Sequence, residues 1–121
     1  MDTKTILIAD DEVTIRTMLK DWLESFDYNI LTAEDGQAAW EVWNENTCDL
    51  LITDINMPRM NGIELLQKIK EKNKDFPVIV ITGVSVSSAE LQSKDFGADA
   101  YLIKPFKMKD LYQKIDAIFT G

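Results

Sequence analysis

The chain has 121 residues, a formal net charge of −8, one cysteine and no histidine. The length suits a single domain with its own core, and the acidic balance disfavours sequence-independent binding to nucleic acid or to an anionic membrane. Cys48 has no internal disulfide partner, and the absence of histidine removes His-ligated metal sites, Ser-His-Asp triads and histidine phosphodonors together.

Met1-Asp2-Thr3-Lys4 leads straight into an apolar run at residues 5–9, read as a first strand, which ends at Asp10-Asp11-Glu12. Ile15, Met18, Leu19, Trp22, Leu23 and Phe26 then follow helical spacing and predict one buried stripe. Residues 28–32 form a second, weaker strand pattern. Asp35-Gly36 opens a second helix, with Asp35 as its N-cap and Ala39, Trp40 and Trp43 turned inward. Residues 49–53 read as a third strand ending at Asp54. The segment from Asp54 to Gly62 reads as a turn feeding a helix cap, and Ile63, Leu66 and Ile69 give the stripe of a third helix.

Residues 77–82 make a fourth strand that runs into Gly83. The stretch 85–96 is helical but poor in apolar residues: only Val86, Ala89, Leu91 and Phe96 can bury much, so this helix is expected to be the least stable. Residues 99–103 form a fifth strand ending at Lys104-Pro105, and Met108, Leu111, Ile115 and Ile118 mark a fifth helix. No apolar run approaches the length of a membrane span and no signal-peptide pattern is present, so the cytoplasm is the expected location. Cys48 reads as a small hydrophobe before a strand.

Near-continuous apolar strands suit a parallel sheet covered on both faces. Five alternations of strand and helix predict an α/β, flavodoxin-like (βα)5 three-layer sandwich over residues 1–121. The expected order of the five parallel strands is 2-1-3-4-5, with its switch point between strands 1 and 3. Ligands of such sheets bind beyond the carboxyl ends of the strands. Asp10-Asp11, Asp54, Thr82-Gly83 and Lys104 would all arrive there. At ~4 Å, two like charges cost on the order of 1–4 kcal/mol between the dielectrics of water and of a protein surface. Carboxylates gathered in this way call for a hard divalent cation, and Mg²⁺ carries phosphate chemistry with it. A hydroxyl and an ammonium could contact phosphoryl oxygens, and Gly83 and Asn56 could offer backbone N–H groups.

The motifs Ile8-Ala9-Asp10-Asp11-Glu12, Asp54 to Gly62, Ile81-Thr82-Gly83, Gly97-Ala98-Asp99-Ala100-Tyr101 and Lys104-Pro105-Phe106 occur in order, each at a strand end. Together they resemble the receiver domain of bacterial two-component response regulators, a single-domain, chemotaxis-regulator-like receiver, over residues 5 to 119. The resemblance implies that Asp54 is the phosphoacceptor, attacking a phosphohistidine to give an aspartyl phosphate. It implies Mg²⁺, or Mn²⁺ in its place, held by Asp11, Asp54 and the backbone carbonyl of Asn56, with Asp10 acting through a metal-bound water. It further implies phosphoryl contacts from Thr82, Gly83 and Lys104, a cis Lys104–Pro105 bond, and a switch made of Thr82 and Tyr101. The chain would then be a signalling domain rather than an enzyme in the ordinary sense, catalysing only its own phosphorylation and dephosphorylation.

The partners implied are a sensor histidine kinase or histidine phosphotransfer protein and an output protein or domain. The output partner would read the face of the fourth helical stretch, fifth strand and fifth helix. Neither nucleic acid nor membrane would contact this domain, and it would be a monomer or a phosphorylation-dependent dimer, either free-standing or a piece of a longer regulator. Ser93, Lys94 and Phe96 depart from the family pattern, and Lys107 replaces a capping aspartate. An apolar Val84 cannot orient a water, so slow loss of the phosphoryl group is expected. A flavin carrier of the same topology needs a hydroxyl- and glycine-rich loop where this chain has Asp10-Asp11-Glu12. An aspartate-nucleophile phosphatase needs an Asp-x-Asp motif after strand 1. A pseudo-receiver would lack site residues that are all present here.

Overall fold

The computed structural model describes residues 3–83 and 97–121. Its elements run β1 (Thr5–Ala9), α1 (Val13–Glu24), β2 (Asn29–Ala33), α2 (Gly36–Glu45), β3 (Leu50–Asp54), α3 (Gly62–Lys72), β4 (Val78–Thr82), β5 (Ala100–Ile103) and a C-terminal helix (Met108–Thr120). All strand pairs are parallel and the order is β2-β1-β3-β4-β5, the flavodoxin-like arrangement. Strands β2 to β5 each begin one residue later than the apolar pattern suggests. Ladder bonds just outside the strands explain the difference, such as Asp49 N–H to Thr5 O at 2.8 Å. The expected helix over residues 85–96, Val84 before it, and the departures at Ser93, Lys94 and Phe96 lie outside the described residues.

Alternate side chains of each strand enter opposite cores. Leu7, Leu51, Val78 and Val80 pack with Leu65, Leu66 and Ile69 on one face. Ile6, Ile8, Leu50, Ile52, Ile79 and Ile81 pack with Leu19, Leu23, Leu111 and Ile115 on the other. Burial on both faces is why β3 and β4 carry no alternation of apolar and polar residues: every residue in each is buried.

The α1 stripe is narrower than its periodicity predicts. Leu19 and Leu23 are fully buried, whereas Met18 and Phe26 are 43% and 42% exposed. Met18 sits about 100° around the helix from Leu19, off the stripe's centre. Phe26 lies past the helix end, where its ring meets Trp22 at 5.0 Å and Tyr112 at 4.6 Å. Trp40 and Trp43 do turn toward the core, but only in part; they stack on each other at 5.7 Å. Lys68 and Lys72 each lie 5.2 Å from the Trp40 ring centroid. At the C-terminal helix, Lys107 occupies the N-cap position without a side-chain capping bond.

Cys48 is half-buried against the α2–α3 core. Burial, helped by the Asp49 carboxylate, pushes its thiol up to about 11. The thiolate is the reactive form. Thiol reagents should therefore modify native Cys48 at least about tenfold more slowly than the urea-unfolded chain at neutral pH, where an ordinary thiol titrates near 8.5. Equal rates in the two states would contradict this reading of its surroundings.

Candidate functional site

Sheet register brings the acidic residues together. β1 lies beside β3 with Ala9 opposite Thr53, so Asp10 and Asp54 leave neighbouring strands at one level. β4 places Ile81 opposite Asp54, and β5 follows with Ile103 opposite Thr82. The Lys104 amide donates to Thr82 O at 2.7 Å, which carries the β4–β5 ladder one residue further and delivers Lys104 to the same edge. The Lys104–Pro105 peptide is cis.

Asp10 and Asp54 are buried, at 2% and 6% exposure, while Asp11 and Glu12 face solvent. One oxygen of each buried carboxylate is held by backbone: Asp10 Oδ1 accepts from the Glu12 amide at 2.9 Å, and Asp54 Oδ1 from the Ile55 amide at 2.7 Å. The other oxygens share a cation. Lys104 Nζ donates to Asp10 Oδ2, Asp54 Oδ2 and Glu12 Oε1, each at 3.2 Å. Burial pushes the Asp10 carboxyl above its ordinary value and Asp54 adds to that, against the lowering effects of the Glu12 amide and Lys104. Burial alone would lower the Lys104 pKa, but the Asp54 and Asp10 carboxylates outweigh it and raise the value, so the ammonium stays charged.

Carboxylate oxygens of Asp10, Asp11, Glu12 and Asp54 lie within 4.8 Å of one another, and the Lys104 ammonium bridges three of these four acidic groups. An all-oxygen donor set with surplus negative charge fits a hard divalent cation such as Mg²⁺. A cleft of about 360 Å³ opens over this cluster, lined by Asp11, Glu12, Asp54, Asn56, Gly83 and Lys104. Thr82 is buried at the end of β4, beside this edge. Tyr101 stands apart from the cluster. It pairs with Val80 in the ladder and packs, half-buried, against the α2–α3 core.

Glu12 is the site residue that the sequence reading does not single out; its one signal was to be the third acid in a row at a strand end. The β3–α3 loop also holds more than a turn. Ile55, Met57 and Met60 are buried, the Gly62 amide donates to Ile55 O at 2.8 Å, and Asn61 and Glu64 form a reciprocal capping box. Arg59, at φ 67°, reaches Asp35 Oδ2 with its Nε at 2.9 Å. That contact ties the loop to the start of α2, where Asp35 caps the Ala38 amide at 2.8 Å.

The Ala38 amide holds the Asp35 carboxyl below its ordinary value; burial opposes this, and Arg59 adds to the lowering. A carboxyl depressed in the fold contributes stability that is present above its unfolded pKa of about 3.9 and is lost as pH falls through the folded value. Asparagine can keep the cap but not the charge. The stability gap between the wild type and Asp35→Asn should therefore shrink from neutral pH to about pH 3 in urea titrations. A gap constant over that range would contradict the assignment.

Gly83 lines the cleft, and among the described residues nothing sterically requires a glycine there. A Cβ at Gly83 would meet Lys104 Cβ and Cδ at 3.7 Å, an ordinary contact. Gly83→Ala should change unfolding free energy by no more than about 0.5 kcal/mol. A larger loss in chemical denaturation would show that the cleft is tighter there than it looks.

A family model described as "Response regulator receiver domain" matches residues 6–116. Among curated relatives, a probable transcriptional regulator, ycf27, of Guillardia theta is 35% identical over 119 residues, covering 98% of this chain and 46% of that protein. Histidine kinase P4 of Formosa agariphila is 39% identical over 122 residues, covering 99% of this chain and 9% of the kinase. The chain thus spans about half the length of the transcriptional regulators it matches, 46–49% in two ycf27 proteins. Among solved structures, the Thermotoga maritima response regulator TrrA in complex with Mg²⁺–BeF superposes with a TM-score of 0.87 at 37% identity, covering 96% of this chain and 99% of that one. A receiver domain protein of Clostridium thermocellum gives a TM-score of 0.91 at 32% identity, covering 97% and 94%.

Proposed function

The chain belongs to the receiver-domain family of two-component response regulators, and from that premise we propose that Asp54 is the residue that accepts a phosphoryl group. The donor would be a phosphohistidine on a sensor kinase or phosphotransfer protein. An Asp54 carboxylate oxygen attacks phosphorus, an O–P bond forms, the P–N bond breaks, and the electron pair stays on the departing imidazole. The observation that carries this reading is the Lys104 ammonium, 3.2 Å from both Asp10 and Asp54 and facing an open cleft.

Asp54 presents its nucleophilic oxygen with the other oxygen fixed by the Ile55 amide. Lys104 lies beside Asp54, where it neutralises charge that develops on the transferring group. Thr82 and Gly83, at the end of β4, would supply the remaining phosphoryl contacts. Asp11, Asp54 and the Asn56 carbonyl would hold Mg²⁺ or Mn²⁺, with Asp10 joined to it through water. When bound, the ion supplies charge neutralisation and Lewis-acid polarisation of the phosphoryl oxygens.

Phosphorylation would then replace one negative charge by about two and add three acceptor oxygens. Thr82 would move toward the new group and Tyr101 would turn inward, changing the face of β5 and the C-terminal helix that an output partner reads. Whether the domain is monomeric or dimerises on phosphorylation follows from what that face does. No described helix is long and apolar enough to cross a membrane. The test is incubation with acetyl phosphate. Phosphoryl incorporation that requires Mg²⁺ and stops on chelation supports the proposal; a chain that stays unlabelled at saturating Mg²⁺ contradicts it.

A further inference from the structure

An ammonium has three N–H donors and no acceptor. Lys104 directs all three at separate carboxylates, Asp10, Asp54 and Glu12, at 3.2 Å each. The three acceptors are not equivalent. The side chains of Asp10 and Asp54 are 3% and 7% exposed, and that of Glu12 is 60% exposed. Separating Lys104 from Asp10 or Asp54 leaves a buried charge without its partner, which is costly. Separating it from Glu12 returns a carboxylate to water, where an ion pair contributes little.

We propose that Glu12 is a positioning residue, the exchangeable third partner of Lys104, which a phosphoryl group on Asp54 displaces. The proposal rests on the reading of Asp54 as phosphoacceptor. The incoming group brings three acceptor oxygens to a lysine whose donors are all engaged. Forming the acyl phosphate takes the attacking Asp54 oxygen out of its ion pair and frees one N–H. For the dianionic group to engage a second, Asp10 or Glu12 must yield, and Glu12 is the one that water receives most cheaply. Until then Glu12 keeps the ammonium centred over the cleft. It also competes with the phosphoryl group for the same N–H. The backbone of residue 12 is fixed independently of its carboxylate, because its amide donates to Asp10 Oδ1 and it forms the N-cap of α1. Glu12→Gln therefore changes the ion pair and leaves the turn in place.

The test uses beryllofluoride as the phosphoryl mimic, titrated calorimetrically onto the full chain. Mg²⁺ affinity is measured first for each variant, because Glu12 is also part of the acidic cluster; beryllofluoride is then titrated at saturating Mg²⁺. Glu12→Gln should bind beryllofluoride roughly two- to fivefold more tightly than wild type at low salt, the release of one exposed pair. The gain should shrink as ionic strength rises. It should also vanish in a Lys104→Gln background, since coupling through Lys104 is what distinguishes this role from a general change of field. Unchanged or weaker binding by Glu12→Gln, or a gain that persists without Lys104, would overturn the proposal. If neither wild type nor variant binds beryllofluoride, the Asp54 reading itself fails and takes this inference with it; binding by wild type with no effect of Glu12→Gln defeats the inference alone. Should Lys104→Gln not fold, the salt dependence of the Glu12→Gln gain decides the matter.

Discussion

Asp54→Asn should abolish phosphoryl acceptance from acetyl phosphate and leave the fold intact. The amide oxygen carries no formal charge and is a poor nucleophile, so no second residue replaces the attacking group. Asp10 cannot substitute, because it is buried at 2% exposure and, unlike Asp54, does not line the cleft. The fold should survive for equally local reasons. The side-chain amide oxygen of the variant can still accept from the Ile55 amide, as Asp54 Oδ1 does at 2.7 Å. Lys104 keeps Asp10 and Glu12. One carboxylate fewer relieves repulsion of about 1 kcal/mol or more among acids packed within 4.8 Å, so metal-free thermal stability should not fall. Loss of stability together with labelling would mean that Asp54 is needed for folding rather than for chemistry.

Gly62→Ala should be strongly damaging although the residue carries no functional group. A Cβ at position 62 would lie 2.1 Å from the Asp54 carbonyl oxygen and 2.9 Å from Ile55 Cα, both backbone atoms that cannot rotate away. The conflict is one of close approach: the first turn of α3 is packed onto the end of β3, fastened by the Gly62 amide to Ile55 O at 2.8 Å. Relieving it means pushing the helix off or moving the Asp54 backbone. Overpacking of this kind costs about 3 kcal/mol. Labelling by acetyl phosphate should fall along with stability, since the displaced atoms belong to Asp54, the proposed phosphoacceptor. Urea denaturation measures the first effect, and a loss below about 0.5 kcal/mol would show that the contact relaxes easily.

Much of this architecture is legible in the sequence because it depends on strand ends. Apolar runs that stop at Asp10, Asp54, Thr82 and Lys104 announce where a parallel sheet delivers its chemistry, and the register then sets those residues level. Asp35 could be read as a cap because capping is decided within four residues. Glu12 could not be read in the same way. Its partner Lys104 lies 92 positions away, and whether a third acid in a row reaches the cleft depends on where the cis-linked Lys104 arrives. The Arg59–Asp35 contact is hidden for a similar reason, since it needs a positive φ at an ordinary residue and a partner 24 positions away. The breadth of the α1 stripe is overestimated because periodicity fixes a direction around the helix and not how far neighbouring helices cover it. That is why Met18 remains 43% exposed.

Gly62, Arg59 and the capping box serve one end, which is to hold the β3–α3 loop so that Asp54 faces the cleft with a fixed backbone. The most direct test of that account is to locate the modified residue. The chain would be labelled with acetyl phosphate and Mg²⁺, reduced with borohydride to convert an aspartyl phosphate to homoserine, and sequenced by peptide mass spectrometry. The account predicts homoserine at position 54 alone. Conversion at Asp10 or Asp11, or phosphoryl incorporation that leaves Asp54 intact, would contradict it.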